Sequence, residues 1–246
     1  SEILNNILIS QEGQINLDLA VEREVKNVLL VVYTSDRGLC GAFNTNVIKK
    51  AVEQIRTKYA DIPKANLHVM TIGKKSNAYF SKFNCTVNSK YVNLLQERSF
   101  EETAQAAEFA INGFIAGDFD VVELVYAQFK NAAVQTFMAE PFLPLVKQEA
   151  AVATTSKNVA DFIFEPNEAD IIKVLIPKIL KTQFYKALLD TNASEHGARM
   201  TAMDKATDNA QELLKELGIS YNRARQAAIT TELTEIVSGA AALEAN

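Results

Sequence analysis

The stretch VYTSDRGLCGAFNTN runs from Val32 to Asn46, directly after the apolar run Val28 to Val32. Its Asp36-Arg37 pair and its glycines, Gly38 and Gly41, stand at the end of a predicted strand. Sheets of alternating α and β elements hold phosphates at that position. The chemistry would be anion binding, which needs glycines spaced so that backbone N–H groups can wrap the oxygens. The spacing is wrong for it. No G-x-x-x-x-G-K-[ST] occurs; the nearest lookalike is Ile72-Gly73-Lys74-Lys75-Ser76, where Lys75 displaces the hydroxyl and His68 stands where the first glycine belongs. No G-x-G-x-x-G occurs either, and Leu39 and Cys40 separate Gly38 from Gly41. Two readings of the loop stand: a ligand cradle, or a tight strand-to-helix turn with Leu39 and Cys40 packed beneath it and Asp36 or Asn44 capping the next helix.

Other reactive residue types are scattered. His68 falls in a strand and His196 on a long helix, and no carboxylates or thiols accompany them at ligand spacing. Cys40 reads as a small packed residue. The sequence therefore offers no catalytic, cofactor-binding or metal-binding residue. More informative is Tyr221-Asn222-Arg223-Ala224-Arg225-Gln226, two arginines and two amides on a helix otherwise thin in positive charge: a contact surface or a solvated face. Beyond it, Ile236 to Leu243 carries no charge for eight residues. So apolar a chain end is costly to leave in water; it reads as a tip seated in a smooth apolar socket, or as a frayed end.

The elements that position these residues change character along the chain. Over residues 27–146 strands and helices alternate: strands at Val28 to Tyr33 and Leu67 to Ile72, an edge strand at Thr86 to Val92, then Val121 to Phe129 and Ala133 to Phe142 joined by a Lys130-Asn131 hairpin turn. Helices are predicted at Asn44 to Tyr59, Lys74 to Phe83 and Ser99 to Ala116, the last opened by a Ser99/Glu102 capping box. Val28 to Tyr33 is continuous and β-branched, as a strand buried on both faces should be. The alternation predicts an α/β fold, a mostly parallel sheet with an antiparallel edge hairpin.

From Asn167 onward strand signals vanish and Ala, Leu, Glu, Lys and Gln dominate. Met203, Ala206, Ala210, Leu213, Leu217, Tyr221, Ala224 and Ala228 recur at intervals of three and four, a coiled-coil seam. Pro177 predicts a start or kink, Gly197 and Gly218 are interior costs of about 1 kcal/mol each, and the one long helix leaves room for a break near Thr191 to Ser194. Lys178 to Ala242 at about 1.5 Å per residue is roughly 100 Å, longer than a domain of this size is wide, so most of it should project and need a partner for its seam. The expected organisation is a segment 1–26 ahead of the first strand, 27–166 as an α/β domain, and 167–246 as a long C-terminal helix whose coiled-coil seam needs a partner.

The bulk numbers agree with a folded chain: 246 residues, 48% hydrophobic, 22% charged, net charge −5. That balance argues against a dedicated nucleic-acid binder. Two cysteines make neither a disulfide framework nor a zinc site. No run of 18 apolar residues spans a membrane. The chain starts at Ser1 with no basic and apolar leader, and reads as a piece whose start has been removed.

Two blocks carry a family resemblance: Ser35 to Asn44, SDRGLCGAFN; and Ala193-Ser194-Glu195 with Ala198 to Met203, continuing through Tyr221 to Gln226 and Ile229 to Ala240. With Phe164-Glu165-Pro166, they make the whole chain resemble the gamma subunit of F-type ATP synthase, the central rotor shaft. The family's long, basic N-terminal helix does not precede Ser1, and the paired-cysteine insertion of chloroplast relatives is absent. The resemblance implies that 1–26 is the remnant of that helix and a linker, that 27–166 is Rossmann-like, and that 167–246 is half of an antiparallel coiled coil. The resemblance implies a non-catalytic, cofactor-free subunit that couples c-ring rotation to the catalytic sites of beta. Its partners would be alpha, beta, epsilon and the c-ring, with no nucleic acid and no membrane span of its own. It would sit peripherally on the cytoplasmic face of a bacterial inner membrane, or on the matrix side of the mitochondrial one. Arg225, Gln226, Thr230 and Glu232 would contact beta loops. Ile236, Val237, Ala240 and Leu243 would form the apolar tip, Glu165 would lie at the foot near the c-ring, and Asp36 and Arg37 would touch a neighbouring subunit. From the residues alone, a small α/β enzyme using the Asp36 to Gly41 loop, or a coiled-coil adaptor dimerising through the seam, are the competing readings.

Overall fold

The computed structural model describes residues 18–21, 23–83, 85–145 and 168–244, with the side chains of the last stretch described from 174 to 243. The chain divides into two compact units, Ser1–Met200 and Thr201–Asn246.

In the first unit the strands are β1 (Val28–Tyr33), β2 (Leu67–Ile72), β3 (Thr86–Asn88), β4 (Val121–Phe129) and β5 (Gln135–Leu143). The helices are α1 (Phe43–Thr57), α2 (Lys74–Phe80), α3 (Leu94–Glu97), α4 (Phe100–Ala116) and α5 (Glu168–Glu244), the last crossing into the second unit. The five strands lie in the order β3-β2-β1-β4-β5. β1 pairs in parallel with both β2 and β4, β2 with β3, and only β4 with β5 is antiparallel. The mostly parallel sheet with an antiparallel edge is the predicted one.

β1 is central and wholly buried. Because side chains alternate across a strand, Leu29, Val31 and Tyr33 enter one core with α4 and the α5 residues Ile176, Leu180, Phe184, Ala187 and Leu188. Val28, Leu30 and Val32 enter the other, with Phe43, Val47 and Ala51 of α1 and Phe80 of α2. A continuous apolar run is what two packed faces require.

Several local expectations are corrected. The edge strand stops at Asn88. Ser99 is the N-cap of α4, but its side chain makes no cap bond and the capping box does not form; instead the Thr103 hydroxyl donates to the Ser99 carbonyl at 2.7 Å. The hairpin turn spans more than Lys130-Asn131: Asn131 Oδ1 accepts from the N–H of Ala133 and of Val134, which delays β5 to Gln135. α5 runs through Pro177 and through Thr191 to Ser194 without a break. Pro177 starts nothing, because the helix has already begun at Glu168.

The two glycines of α5 differ in kind. A Cβ on Gly197 would lie 3.0 Å from Cα and 3.1 Å from O of Ala132, so the helix approaches the β4–β5 turn to glycine distance there. Gly218 faces open space. In the second unit every described side chain from Met203 to Leu243 is exposed, among them Leu213, Leu217, Tyr221, Leu233 and Ile236. A helix this rich in exposed apolar residues is marginal alone in water and gains its stability from what it packs against.

Candidate functional site

In the order β3-β2-β1-β4-β5 the connections leave β1 in opposite directions, and the crevice beyond the carboxyl ends of β1 and β4 is where such sheets hold ligands. Residues 34–41 leave the carboxyl end of β1, and their first bonds run to the β2–α2 side. The Lys74 N–H at the start of α2 donates to Asp36 Oδ1 at 2.9 Å. The Ser76 N–H donates to Thr34 Oγ1 at 2.8 Å, and the Lys75 N–H to the Ser35 carbonyl at 3.2 Å. The first N–H groups of α2 are thus taken by oxygens of residues 34–36, which ties the start of the loop to α2.

Asp36 thus caps α2, the second helix along. Asn44 caps no helix: it knits the loop, accepting from the Ser35 N–H at 2.9 Å while its Nδ2 donates to Ser35 Oγ at 2.7 Å and to Cys40 Sγ at 3.2 Å. α1 has Ala42 at its N-cap and no side-chain cap bond. Cys40 is packed at 2% exposure, as expected, but Leu39 is not beneath the turn. It has φ 64° and its side chain is 76% exposed, held out by the left-handed backbone.

The two sequence blocks that carry the resemblance meet here. A cleft of about 520 Å3 is lined by Asp36 and Arg37 after β1, Leu95, Gln96 and Arg98 around α3, and Asn192, Glu195, His196 and Arg199 on α5. Arg199 Nη2 bridges across it, donating to Glu195 Oε1 at 2.7 Å and to the Gly38 carbonyl at 3.3 Å. One helical turn earlier Ser194 Oγ, fully buried, donates to the carbonyl of Ala127 on β4 at 3.1 Å. Farther back Tyr33 OH donates to the Phe184 carbonyl at 3.3 Å, with the two rings edge-on at 5.5 Å. Ser194, Glu195, Gly197 and Arg199 were not singled out as site residues in the sequence. The small-residue run Ala193-Ser194 with Gly197-Ala198, and the Glu195/Arg199 spacing of four, were the available signal.

Among the described residues, no group of three His, Cys, Asp or Glu side chains gathers to hold a metal ion. Burial lowers His68 below its ordinary value, the nearby Asp118 opposing, so the ring is neutral at pH 7. Burial pushes the Cys85 thiol up, away from a nucleophilic thiolate.

One acidic cluster joins α5 to β5. Tyr126 OH donates to Glu140 Oε2 at 2.7 Å and Gln183 Nε2 to Glu140 Oε1 at 3.0 Å. Burial raises the nearby Asp190 carboxyl above the usual range; Lys186 pulls it down and Glu140 adds to the rise. A carboxyl with a folded pKa above its unfolded one favours the fold in its protonated form, so its penalty grows as pH rises from about 4. Asp190→Asn should therefore raise the melting temperature at pH 7, with the gain shrinking toward pH 4; equal shifts at both pH values would exclude this origin.

Of the other predicted residues, Arg37 is exposed on the cleft wall, and Arg225, Gln226, Thr230, Glu232, Ile236, Val237, Ala240 and Leu243 are exposed on α5. The Thr230 hydroxyl donates to the Gln226 carbonyl at 2.8 Å. Glu165 lies outside the described residues. No helix among the described residues is long and apolar enough to cross a membrane.

Comparison with known proteins agrees with this architecture. The family model described as ATP synthase matches residues 1–243. The chain is 50% identical to the ATP synthase gamma chain of Cytophaga hutchinsonii over 98% of its own length and 82% of that chain. It is 47% identical to that of Flavobacterium johnsoniae, over 99% and 82%. Among solved structures it resembles a chain of the Euglena gracilis mitochondrial ATP synthase, an OSCP/F1/c-ring assembly, with TM-score 0.61 at 21% identity, covering 97% of this chain and 83% of that one. A chain of the Tetrahymena thermophila mitochondrial ATP synthase, central stalk and c-ring, gives TM-score 0.57 at 23% identity, covering 83% and 86%. With a parallel sheet edged by one antiparallel strand, a helix of 77 residues and half its residues shared with a bacterial gamma chain, this chain belongs to the ATP synthase gamma-chain family.

Proposed function

We propose that the chain acts as the central-stalk rotor of an F-type, proton-transporting ATP synthase, without an active site of its own. It would couple rotation of the c-ring to conformational change at the beta-subunit catalytic sites. Its place would be peripheral, on the cytoplasmic face of a bacterial inner membrane. Residues 27–166 would form the bulge beside the c-ring and epsilon, with Glu165 at the foot, and 167–246 the shaft. Asp36 and Arg37 would face a neighbouring subunit.

The observation that carries this reading is the division of labour around α5. At about 100° per residue, the seam from Met203 to Ala228 falls within an arc of roughly 80°. Arg225, Gln226, Thr230, Glu232, Ile236, Val237, Ala240 and Leu243 fall within a second arc of roughly 160°, centred about 130° away. One face can thus be covered by a partner helix while the other meets a surrounding ring of alpha and beta subunits. On the second face Arg225 and Gln226 bring donors that would bond to beta loops, and each charge-assisted bond of this kind is worth about 1.5–3 kcal/mol. Formed in some rotor positions and not others, such bonds bias which beta state is lowest. The tip offers few directional bonds and so little resistance to turning.

The test is Arg225→Ala with Gln226→Ala in the reconstituted complex. ATP hydrolysis should fall while the complex assembles normally; unchanged turnover would remove both residues from coupling.

A further inference from the structure

The contacts of α5 between residues 194 and 199 have a geometry that a mere packing surface does not need. Taking Ser194 as the origin and about 100° per residue, Gly197 lies near −60°, Glu195 near 100° and Arg199 near 140°. Each direction meets a different element. Gly197 abuts the backbone of Ala132 in the β4–β5 turn. Ser194 donates to the Ala127 carbonyl of β4. Arg199, braced by Glu195, reaches the Gly38 carbonyl in the loop after β1. The helix is gripped over roughly 200° of its circumference, by a steric stop on one side and a charge-assisted bond on the other. A helix held on one stripe could roll against the sheet by sliding apolar side chains. A helix held on both flanks of that stripe cannot roll without breaking the Arg199 bond or driving its backbone into Ala132.

We propose that Gly197, Ser194, Glu195 and Arg199 form a keyed joint that prevents the helix from rolling about its own axis against the sheet, with Arg199 as the positioning residue. The joint rests on the rotor reading for its purpose: a shaft that slips in its hub loses torque. It also fixes the residue 36–41 loop to the helix, so that Asp36, Arg37 and Leu39 move with the shaft.

The test uses the assembled, membrane-reconstituted complex carrying Arg199→Ala. Amide hydrogen exchange across residues 35–43 should rise about tenfold, the loss of one charge-assisted hydrogen bond. The number of protons pumped per ATP hydrolysed should fall, because hydrolysis continues while the hub slips. Glu195→Gln, which keeps the side-chain volume and removes the charge that braces Arg199, should shift both readouts in the same direction and guards against an Arg199 variant that fails to assemble. Unchanged exchange in both variants would overturn the joint. So would raised exchange with an unchanged pumping ratio, and so would pumping and hydrolysis falling in proportion, which marks a purely structural contact. None of these outcomes touches the rotor reading, whose beta-loop contacts the Arg225 and Gln226 variants test separately.

Discussion

Replacing Gly73 by Ala should cost the sheet unit about 4 kcal/mol, at the upper end of single-substitution effects, and lower its melting temperature by about 10 °C. Gly73 has φ 97°, a conformation that L side chains rarely adopt. A Cβ there would lie 1.9 Å from the Thr34 carbonyl oxygen and 2.7 Å from its carbon. Those atoms cannot step aside. The Thr34 N–H is bonded to the Ile72 carbonyl at 2.8 Å and the Thr34 hydroxyl to the Ser76 N–H at 2.8 Å, while the Gly73 N–H holds the Val92 carbonyl at 2.9 Å. Relief requires β1 and β2 to part at their carboxyl ends, which breaks the ladder that carries both cores. Calorimetric melts of the variant and the parent decide it; a loss under about 1 kcal/mol would mean that this end of the sheet yields freely, contrary to its bonding.

Gly73 also shows why part of the site was legible and part was not. In the sequence it stands inside a P-loop lookalike whose residues and spacing do not suit a nucleotide. The positive reason for the glycine is a tertiary one, the approach of Thr34, which directly follows β1, and no local pattern carries it. Elements defined by their own hydrophobic period were readable: β1 by its unbroken apolar run, β2 to the residue, and α5 by its Ala-, Leu- and Glu-rich composition. Side-chain caps were not, because Ser99, Asn44 and Asp36 each had more than one backbone group within reach and the tertiary fold chose among them. Asp36 went to α2 because β1 and β2 are neighbours, not because of anything in its own segment. Leu39 failed for a similar reason. Apolar character predicts burial only on average, and the left-handed backbone at that position turns the side chain outward. The α5 contacts of residues 194–199 were visible only as small residues and a Glu195/Arg199 spacing of four, whose meaning depends on what approaches them.

The second large effect concerns a charge within the sheet. Glu123, in the middle of β4, has a side chain only 3% exposed and is ion-paired to Lys58 at the end of α1, whose own side chain is 51% exposed. The other carboxylate oxygen, Oε2, has no hydrogen-bond partner among the described residues, and neither does the buried Tyr59 hydroxyl. Burial and the Glu123 charge together push that phenol far above its ordinary value. With one end of the pair in water, the intact ion pair adds little net stability. Removing Lys58 is another matter, since it strands a half-satisfied carboxylate among apolar strands and costs about 3 kcal/mol, the low end for a broken pair because Lys58 itself is half in water. Lys58→Ala should therefore destabilise the unit by that amount, whereas Lys58→Ala combined with Glu123→Leu should return it to within about 1 kcal/mol of the parent, because no charge is left behind. The coupling between the two substitutions, read from a four-member cycle of urea unfolding curves, should then approach the full cost of the lysine change. Additive effects would show that Glu123 finds another counter-charge or admits water when Lys58 is gone. The Tyr59 hydroxyl, near enough to the Glu123 carboxylate for that charge to raise its pKa, is the group positioned to help it, so adding Tyr59→Phe to Lys58→Ala should deepen the loss rather than leave it unchanged.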